Sequence, residues 1–286
     1  MSVETPALDR RLTPARADLA AIALEGKVEA ARFVHPVAMQ VGLAVTPLRK
    51  APDAALGYET ELLPGERVDV YEIRDGWAWL QAKRDGYVGY APVPMLHAPP
   101  VDSTHRVSAI RTFLYPEPSI KLPPRMLLPY GAEIAVTELE GKFARIKEGY
   151  VFSAHLEPVG QHVADPVSEA ERFLGIPYLW GGKSSLGLDC SALVQTAFGA
   201  AGIAAPRDSD MQENSCGHAI AIPNDPAHFK RGDLLFWKGH VAIAQGEGRM
   251  IHATAYSMSV ISEPIETALA RIAAGGDALR SVRRHG

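Results

Sequence analysis

"GGKSSLGLDCSALVQTAFGAAGI", residues 181–203, decides how the C-terminal half of the chain is read. A loose glycine and serine stretch gives way at Asp189-Cys190-Ser191 to a segment with helical texture. A thiol attacks only as thiolate, and the free N–H groups and dipole of a helix N-terminus favour an anion there. Cys190 is therefore a candidate nucleophile. A buried, inert packing cysteine is the other reading of the same residue. Gly181, Gly182 and Gly187 keep side-chain bulk low ahead of it, which would let a substrate backbone come close. Asp189 reads as an N-cap for the helix or as part of the site, with neither favoured.

A nucleophilic cysteine needs a base, and the base needs an orienting partner. "RGDLLFWKGHVAIAQ", residues 231–245, puts His240 at the head of an alternating strand, fifty residues after Cys190. "GRMIHATA", residues 248–255, puts His252 on the next strand. A hairpin turning at "GEGR" sets the two rings side by side. Cys190, His240 and His252 then supply nucleophile, base and orienter. A zinc site drawn from Cys190, Cys216, His218, His240 and His252 is the rival, but it lacks the paired short spacings of such sites. No metal or cofactor is expected.

The rest of the chain sets this segment in context. At 286 residues it is long for one domain. Its 47% hydrophobic and 22% charged residues are ordinary globular values. The net charge of −4, without a long basic run, speaks against nucleic-acid or anionic-membrane partners. Two cysteines make no disulfide framework and suit a reducing compartment. The N-terminus does not read as a signal peptide, and no apolar run approaches about 18 residues, so a cytoplasmic protein is expected.

Residues 1–36 are charged and alanine-rich and suggest an arm with one short helix over 15–25. From about Val41 the texture becomes strand and hairpin, as in "RVDVYEI" and "WAWLQA" separated by turns. This segment recurs weakly. "LLPGERVDVYEIRDGWAWLQAKRDGYVGY" begins at Leu62, and "LLPYGAEIAVTELEGKFARIKEGYVFSAH" begins at Leu127, a step of 65 residues. Two copies of one small β-barrel are expected, over 37–100 and 101–160, joined by the proline-rich "HAPPVDSTHR". The pattern changes after Pro158. "PVSEAERFLGI" has helical spacing with a capping-box start at Ser168. The Cys190 helix and then the strand runs follow, an α+β order over 161–286.

"YLWGGKSSLGLDCSALVQ", "PRDSDMQ", "RGDLLFW…GHVAIA" and "MIHA", taken in this order, resemble the successive motifs of the NlpC/P60 cysteine peptidases over roughly Ser168 to Arg283. The resemblance implies a papain-like α+β catalytic domain preceded by two bacterial SH3-like barrels. The whole is similar to γ-D-glutamyl-L-diamino-acid endopeptidases of the dipeptidyl-peptidase VI type. These cut short murein peptides that have a free N-terminal L-Ala, after the γ-linked D-Glu.

The resemblance implies Cys190 as nucleophile, His240 as general base and His252 as orienter. It places Tyr178 near the oxyanion, although a packed aromatic is an equal reading of that residue. It assigns Asp208 to the substrate ammonium, and Ser209 and Ser191 to the α-carboxylate of D-Glu. Asp189 precedes the nucleophile as the motif expects. Arg207 and Gln212 read as structural. In the first barrel, Glu59 would be an ammonium partner and Tyr87 an aromatic wall.

The expected partner is a murein tri- or tetrapeptide, handled by a monomer in cell-wall peptide recycling. Two other functions stay open. One is an amidase or acyltransferase on another γ-glutamyl or lipid amide. The other is a non-catalytic wall-binding protein. Diaminopimelate and L-Lys are equally open at the third substrate position.

Overall fold

The protein is described from a computed structural model covering residues 8–285. The chain divides into two compact units. One runs up to Thr104 and includes Ala132–Ala135; the other holds His105–Gly131 and everything from Val136 onward.

In the first unit the alternating runs form strands. Arg67–Arg74 and Trp77–Ala82 pair antiparallel, and Val88–Pro92 pairs with Trp77–Ala82. Val37–Val41 pairs with Arg67–Arg74 on the other side and with Leu96–His97 at the edge. Thr46–Leu48 and Thr60–Leu62 form a separate hairpin. The period-2 pattern sends Val68, Val70, Ala78, Leu80 and Ala82 inward, onto Leu48 and Leu62.

The alanine-rich arm does not form the expected helix over 15–25. Ala20–Ala21 pairs in parallel with Phe33–Val34, and only a single 3₁₀ turn, Ile22–Leu24, follows. The first seven residues of the arm lie outside the described residues. Tertiary contacts explain the difference. Arg16 lies 4.3 Å over the Trp79 ring and donates to the Tyr90 hydroxyl at 2.9 Å and to Glu72 at 2.6 Å. Leu19 and Ala20 are fully buried. Such anchors outweigh the few tenths of a kcal/mol per residue by which alanine favours helix.

In the second unit, Arg111–Tyr115 pairs with Met126–Pro129 and with Gly149–Phe152, and Phe143–Ile146 continues that sheet to Glu138–Glu140. His105–Val107 pairs with Leu156–Pro158. These pairings repeat, one for one, those of 46–48 with 60–62 and of 37–41 with 96–97 in the first unit. The weak sequence repeat thus becomes a repeat of strand connectivity.

Helix α1, Pro166–Glu171, begins two residues before the expected Ser168 start. Asp165 is its N-cap and accepts from the Val167 amide, and Ser168 donates back to Asp165. Helix α2 is Cys190–Ala200, α3 is Ser209–Ser215 and α4 is Ile265–Ala274. The antiparallel sheet beside them has six strands, in the spatial order His218–Ile220, Ser281–Arg284, Leu234–Trp237, His240–Gly246, Arg249–Thr254, Ser259–Pro264.

Both faces of this sheet are covered. Leu234, Phe236, Val241, Ile243, Ile251 and Ala253 pack with α2, whereas Leu235, Trp237, Ala242, Ala244 and Met250 pack with Ile265 and Ala268 of α4. Double coverage is why "LLFW" and "VAIA" are unbroken apolar runs. Among the described residues no helix is long and apolar enough to cross a membrane.

Candidate active site

Cys190 is the first residue of α2 and is buried, 6% exposed. The helix starts there because Asp189 caps it. The Asp189 carboxylate accepts from the Ala192 amide at 2.9 Å, from the Ser191 hydroxyl at 3.1 Å and from the Gly181 amide at 3.1 Å. Arg207, 1% exposed, completes the arrangement. It donates to both oxygens of Asp189 at 2.9 and 2.7 Å, to the Ser191 hydroxyl at 3.0 Å and to the Gly182 carbonyl at 3.2 Å. Asp189 is therefore the N-cap, and its oxygens are committed to the protein.

This corrects the expectation for Ser191. Its hydroxyl is buried and held between Asp189 and Arg207 rather than turned to a substrate carboxylate. A buried guanidinium requires acceptors in every direction, and Ser191 is one of those within reach. Gln212 donates to the Ser191 carbonyl at 2.9 Å and so braces the same turn.

The loop ahead of Cys190 is a buried polar hairpin in which Lys183–Ser184 pairs with Gly187–Leu188. Its glycines serve the chain's own packing, not substrate approach as the sequence suggested. A Cβ on Gly182 would lie 2.4 Å from the Gly187 carbonyl oxygen and 2.9 Å from Leu179 Cβ. The hairpin is also tied to the preceding β segment. Arg111 Nε donates to the Ser185 carbonyl at 2.9 Å, and the Ser185 hydroxyl donates to the Ile110 carbonyl. Tyr130 meets Phe173 edge-on at 5.3 Å inside the core that holds Cys190. The sequence gave no sign of this bracing, because its partners lie some 55 to 75 residues away.

The two histidines meet as the hairpin reading expected. His240 Nε2 is 2.8 Å from His252 Nδ1, and the ring centroids are 5.0 Å apart. The backbone directly after His240 reaches Cys190, since the Val241 amide donates to its sulfur. His240 keeps a partly exposed edge, with Trp237 packed 5.7 Å away, and His252 is enclosed. Two residues absent from the sequence reading extend the line. His252 Nε2 is 2.8 Å from Glu263 Oε1, and Arg271 donates to both Glu263 oxygens at 2.6 Å. The signal was a register effect. Ile261 faces His252 across the strand pair, so Glu263, two residues on, is its diagonal neighbour on the same face.

Charge at the site follows burial. The Cys190 thiol is pushed up to about 12, by desolvation first and then by the adjacent Asp189 carboxylate; the Val241 amide and Arg207 oppose this. His240 and His252 are both held below the ordinary imidazole range, chiefly by desolvation. Glu263 lies low because Arg271 binds it. Burial thus disfavours charge on both the Cys190 thiol and the His240 imidazole. The helix start does not, by itself, hold a thiolate, because desolvation is the larger effect.

Tyr178 is half-buried and packs against the Cys190 core, with its amide on the Met258 carbonyl at 2.9 Å. Its phenol is raised to about 12 by burial and then by the nearby Cys190 and Asp189. Asp208 and Ser209 are half-buried at the start of α3. Arg207 brings that segment to the Cys190 end of α2. Glu59 and Tyr87 belong to the first unit. Glu59 is half-buried there, with its amide on the Leu48 carbonyl. Tyr87 is 3% exposed within the barrel core, a packing position rather than an open wall. Cys216 is buried at the C-terminal end of α3, with its amide on the Gln212 carbonyl and its own carbonyl taken by Arg283. Among the described residues no three His, Cys, Asp or Glu side chains are grouped as metal ligands.

Comparison with known proteins adds the following. Residues 175–271 match the NlpC/P60 family, and residues 48–95 match the bacterial dipeptidyl-peptidase SH3 domain. The chain is 30% identical over 230 residues to γ-D-glutamyl-L-lysine dipeptidyl-peptidase of Bacillus subtilis, covering 71% of this chain and 74% of that one. It is 28% identical over 249 residues to the Bacillus cereus protein of the same name, covering 73% and 71%. A crystal structure of an NlpC/P60 family protein from Bacillus cereus superimposes with a TM-score of 0.71 at 22% identity, over 87% of this chain and 99% of that one.

Proposed function

The chain belongs to the NlpC/P60 family of cysteine peptidases, with an SH3 domain ahead of the catalytic one, and on that premise we propose that it hydrolyses the γ-D-glutamyl-L-diamino-acid bond of short murein peptides with a free N-terminal L-Ala. The third residue is L-Lys or diaminopimelate, and the role is recycling of wall peptides. The observation that carries the reading is the Cys190 sulfur at a capped helix start, touched by the amide that follows His240, with His240 bonded to His252.

The chemistry proceeds by general-base activation. As the sulfur approaches the γ-carbonyl of D-Glu, His240 takes the thiol proton and the S–C bond forms. The oxyanion is met by the Cys190 amide and the Tyr178 phenol. His240 then returns the proton to the leaving amine, and the C–N bond breaks. Water, deprotonated by His240, attacks the thioester and releases the dipeptide and Cys190. No metal takes part. Asp208 receives the free ammonium of L-Ala, and Ser209 the α-carboxylate of D-Glu. The second β segment, 101–160, is read as a further SH3-like barrel on the strength of its repeated strand pairing.

Cys190→Ala should abolish cleavage of L-Ala-γ-D-Glu-L-Lys and of its diaminopimelate counterpart, followed by mass spectrometry of the products. Surviving cleavage would refute the nucleophile assignment. N-acetylating the peptide should cut turnover sharply, because the charge-assisted bond between the L-Ala ammonium and the half-buried Asp208 carboxylate is lost, a matter of about 1.5–3 kcal/mol. Unchanged turnover would instead favour an amidase or acyltransferase that ignores the peptide's N-terminus.

A further inference from the structure

The line of contacts does not stop at His252. His240 Nε2, His252 Nδ1 and Nε2, and the Glu263 carboxylate are joined by two 2.8 Å contacts, and Arg271 of α4 grips Glu263 through two 2.6 Å bonds. Arg271 is itself stacked 4.2 Å over the Tyr256 ring. The His252 side chain has no exposure, so water does not compete for its nitrogens. Building on the peptidase reading above, we propose that the Glu263–Arg271 pair is a positioning device that fixes the tautomer of His252 and, through it, leaves Nδ1 of His240 as the bare nitrogen that accepts the thiol proton.

The argument is one of counting hydrogens. An ionised carboxylate only accepts, and a guanidinium bound through two nitrogens keeps it ionised. His252 Nε2 must then carry its hydrogen. A neutral imidazole has only one N–H, so His252 Nδ1 is a lone pair. That lone pair faces His240 Nε2 at 2.8 Å, so the hydrogen of His240 sits on Nε2. Nδ1 of His240 is left without one. Two hydrogen-bonded imidazoles alone would not decide this. The opposite arrangement, with both hydrogens moved to the other nitrogens, makes the same inter-ring bond and presents an N–H where a base is required. Glu263 breaks the degeneracy. Arg271 also answers its charge: the carboxylate steadies the imidazolium formed in the reaction, while the guanidinium keeps that imidazolium from persisting at rest.

Glu263→Gln keeps the shape and removes the constraint, because an amide donates or accepts equally well. In the intact protein with ¹⁵N-labelled histidine, His240 should show a bare Nδ1 and a protonated Nε2. In Glu263→Gln a second tautomer should appear, and kcat should fall about 100-fold with KM nearly constant. Arg271→Lys should retain most of the rate, and Arg271→Met should lose it. Circular dichroism and melting of each variant give the folded fraction. A Glu263→Gln protein whose histidine tautomers match the wild type, or whose kcat falls only as its folded fraction falls, would overturn the proposal. The nitrogen spectra need no turnover. A wild type that shows the fixed tautomer and cleaves none of the peptides therefore sinks the substrate reading while the tautomer proposal stands.

Discussion

Arg207→Met is the sharpest probe of how the helix start at Cys190 is held. Arg207 is 1% exposed and makes four hydrogen bonds, to both Asp189 oxygens, Ser191 and Gly182. Removing one partner of such a buried pair costs about 3–5 kcal/mol, because the other charge remains in a dry site. Here Asp189 keeps three donors: the Ala192 and Gly181 amides and the Ser191 hydroxyl. The lower end, about 3 kcal/mol, is therefore expected. For a unit of this size that is a fall in melting temperature of roughly 6–12 °C. Urea and thermal denaturation of Arg207→Met, Asp189→Asn and the double variant form a mutant cycle. The two sites should be coupled by about 2 kcal/mol or more, since each single change strands the other group. A loss below about 1 kcal/mol for Arg207→Met, with no coupling to Asp189, would refute the claim that this ion pair holds the helix start.

Three further outcomes follow from the geometry. Gly182→Ala forces a Cβ to 2.4 Å from the Gly187 carbonyl oxygen, with Leu179 Cβ at 2.9 Å as the next obstacle, so about 1–3 kcal/mol should be lost in denaturation, with activity falling alongside. Tyr178→Phe should lower kcat about 100-fold with KM little changed; equal kcat would assign Tyr178 to packing alone. Stability should also fall as the pH drops from 7 to 5. His252 titrates below the ordinary 6.5 when folded, so in that window the unfolded chain binds more protons and stability rises with pH. This enclosed ring contributes up to about 1.4 kcal/mol per pH unit below 6.5, and Glu263, also depressed, acts in the same direction at lower pH. Urea midpoints that stay level or rise between pH 7 and 5 would contradict the buried neutral ring.

The legible part of the site was the part written in local spacing. Cys190 after an aspartate at a helix start, and two histidines flanking a short turn, are periodicities that survive without a structure. Glu263 was one register step from being read, on the same strand face as His252. That step is fixed only by the pairing of the two strands, which local spacing does not record. Ser191 was misjudged for a different reason. Its neighbour Asp189 and the distant Arg207 claim the hydroxyl, and the arginine lies 16 residues away on another element. The arm departs from its helical reading because its alanines favour helix while Arg16 is bound by residues more than 50 positions further on.

The sequence by itself determined the family, an SH3 domain ahead of the NlpC/P60 domain, the weak β repeat, and the placing of Cys190 at a helix start with His240 and His252 on paired strands. These rest on residue type and on short periods, which local backbone geometry enforces. Only the tertiary structure decided the protonation logic and the anchoring. Burial works against charge on Cys190 and His240, opposing the pull of the helix start. Glu263 and Arg271 extend the line of contacts from His240 and His252, and Arg207 binds the Asp189 cap of the helix start. Each is a contact between side chains far apart in sequence, whose strength comes from a dry, low-dielectric interior that exists only once the chain has folded around them.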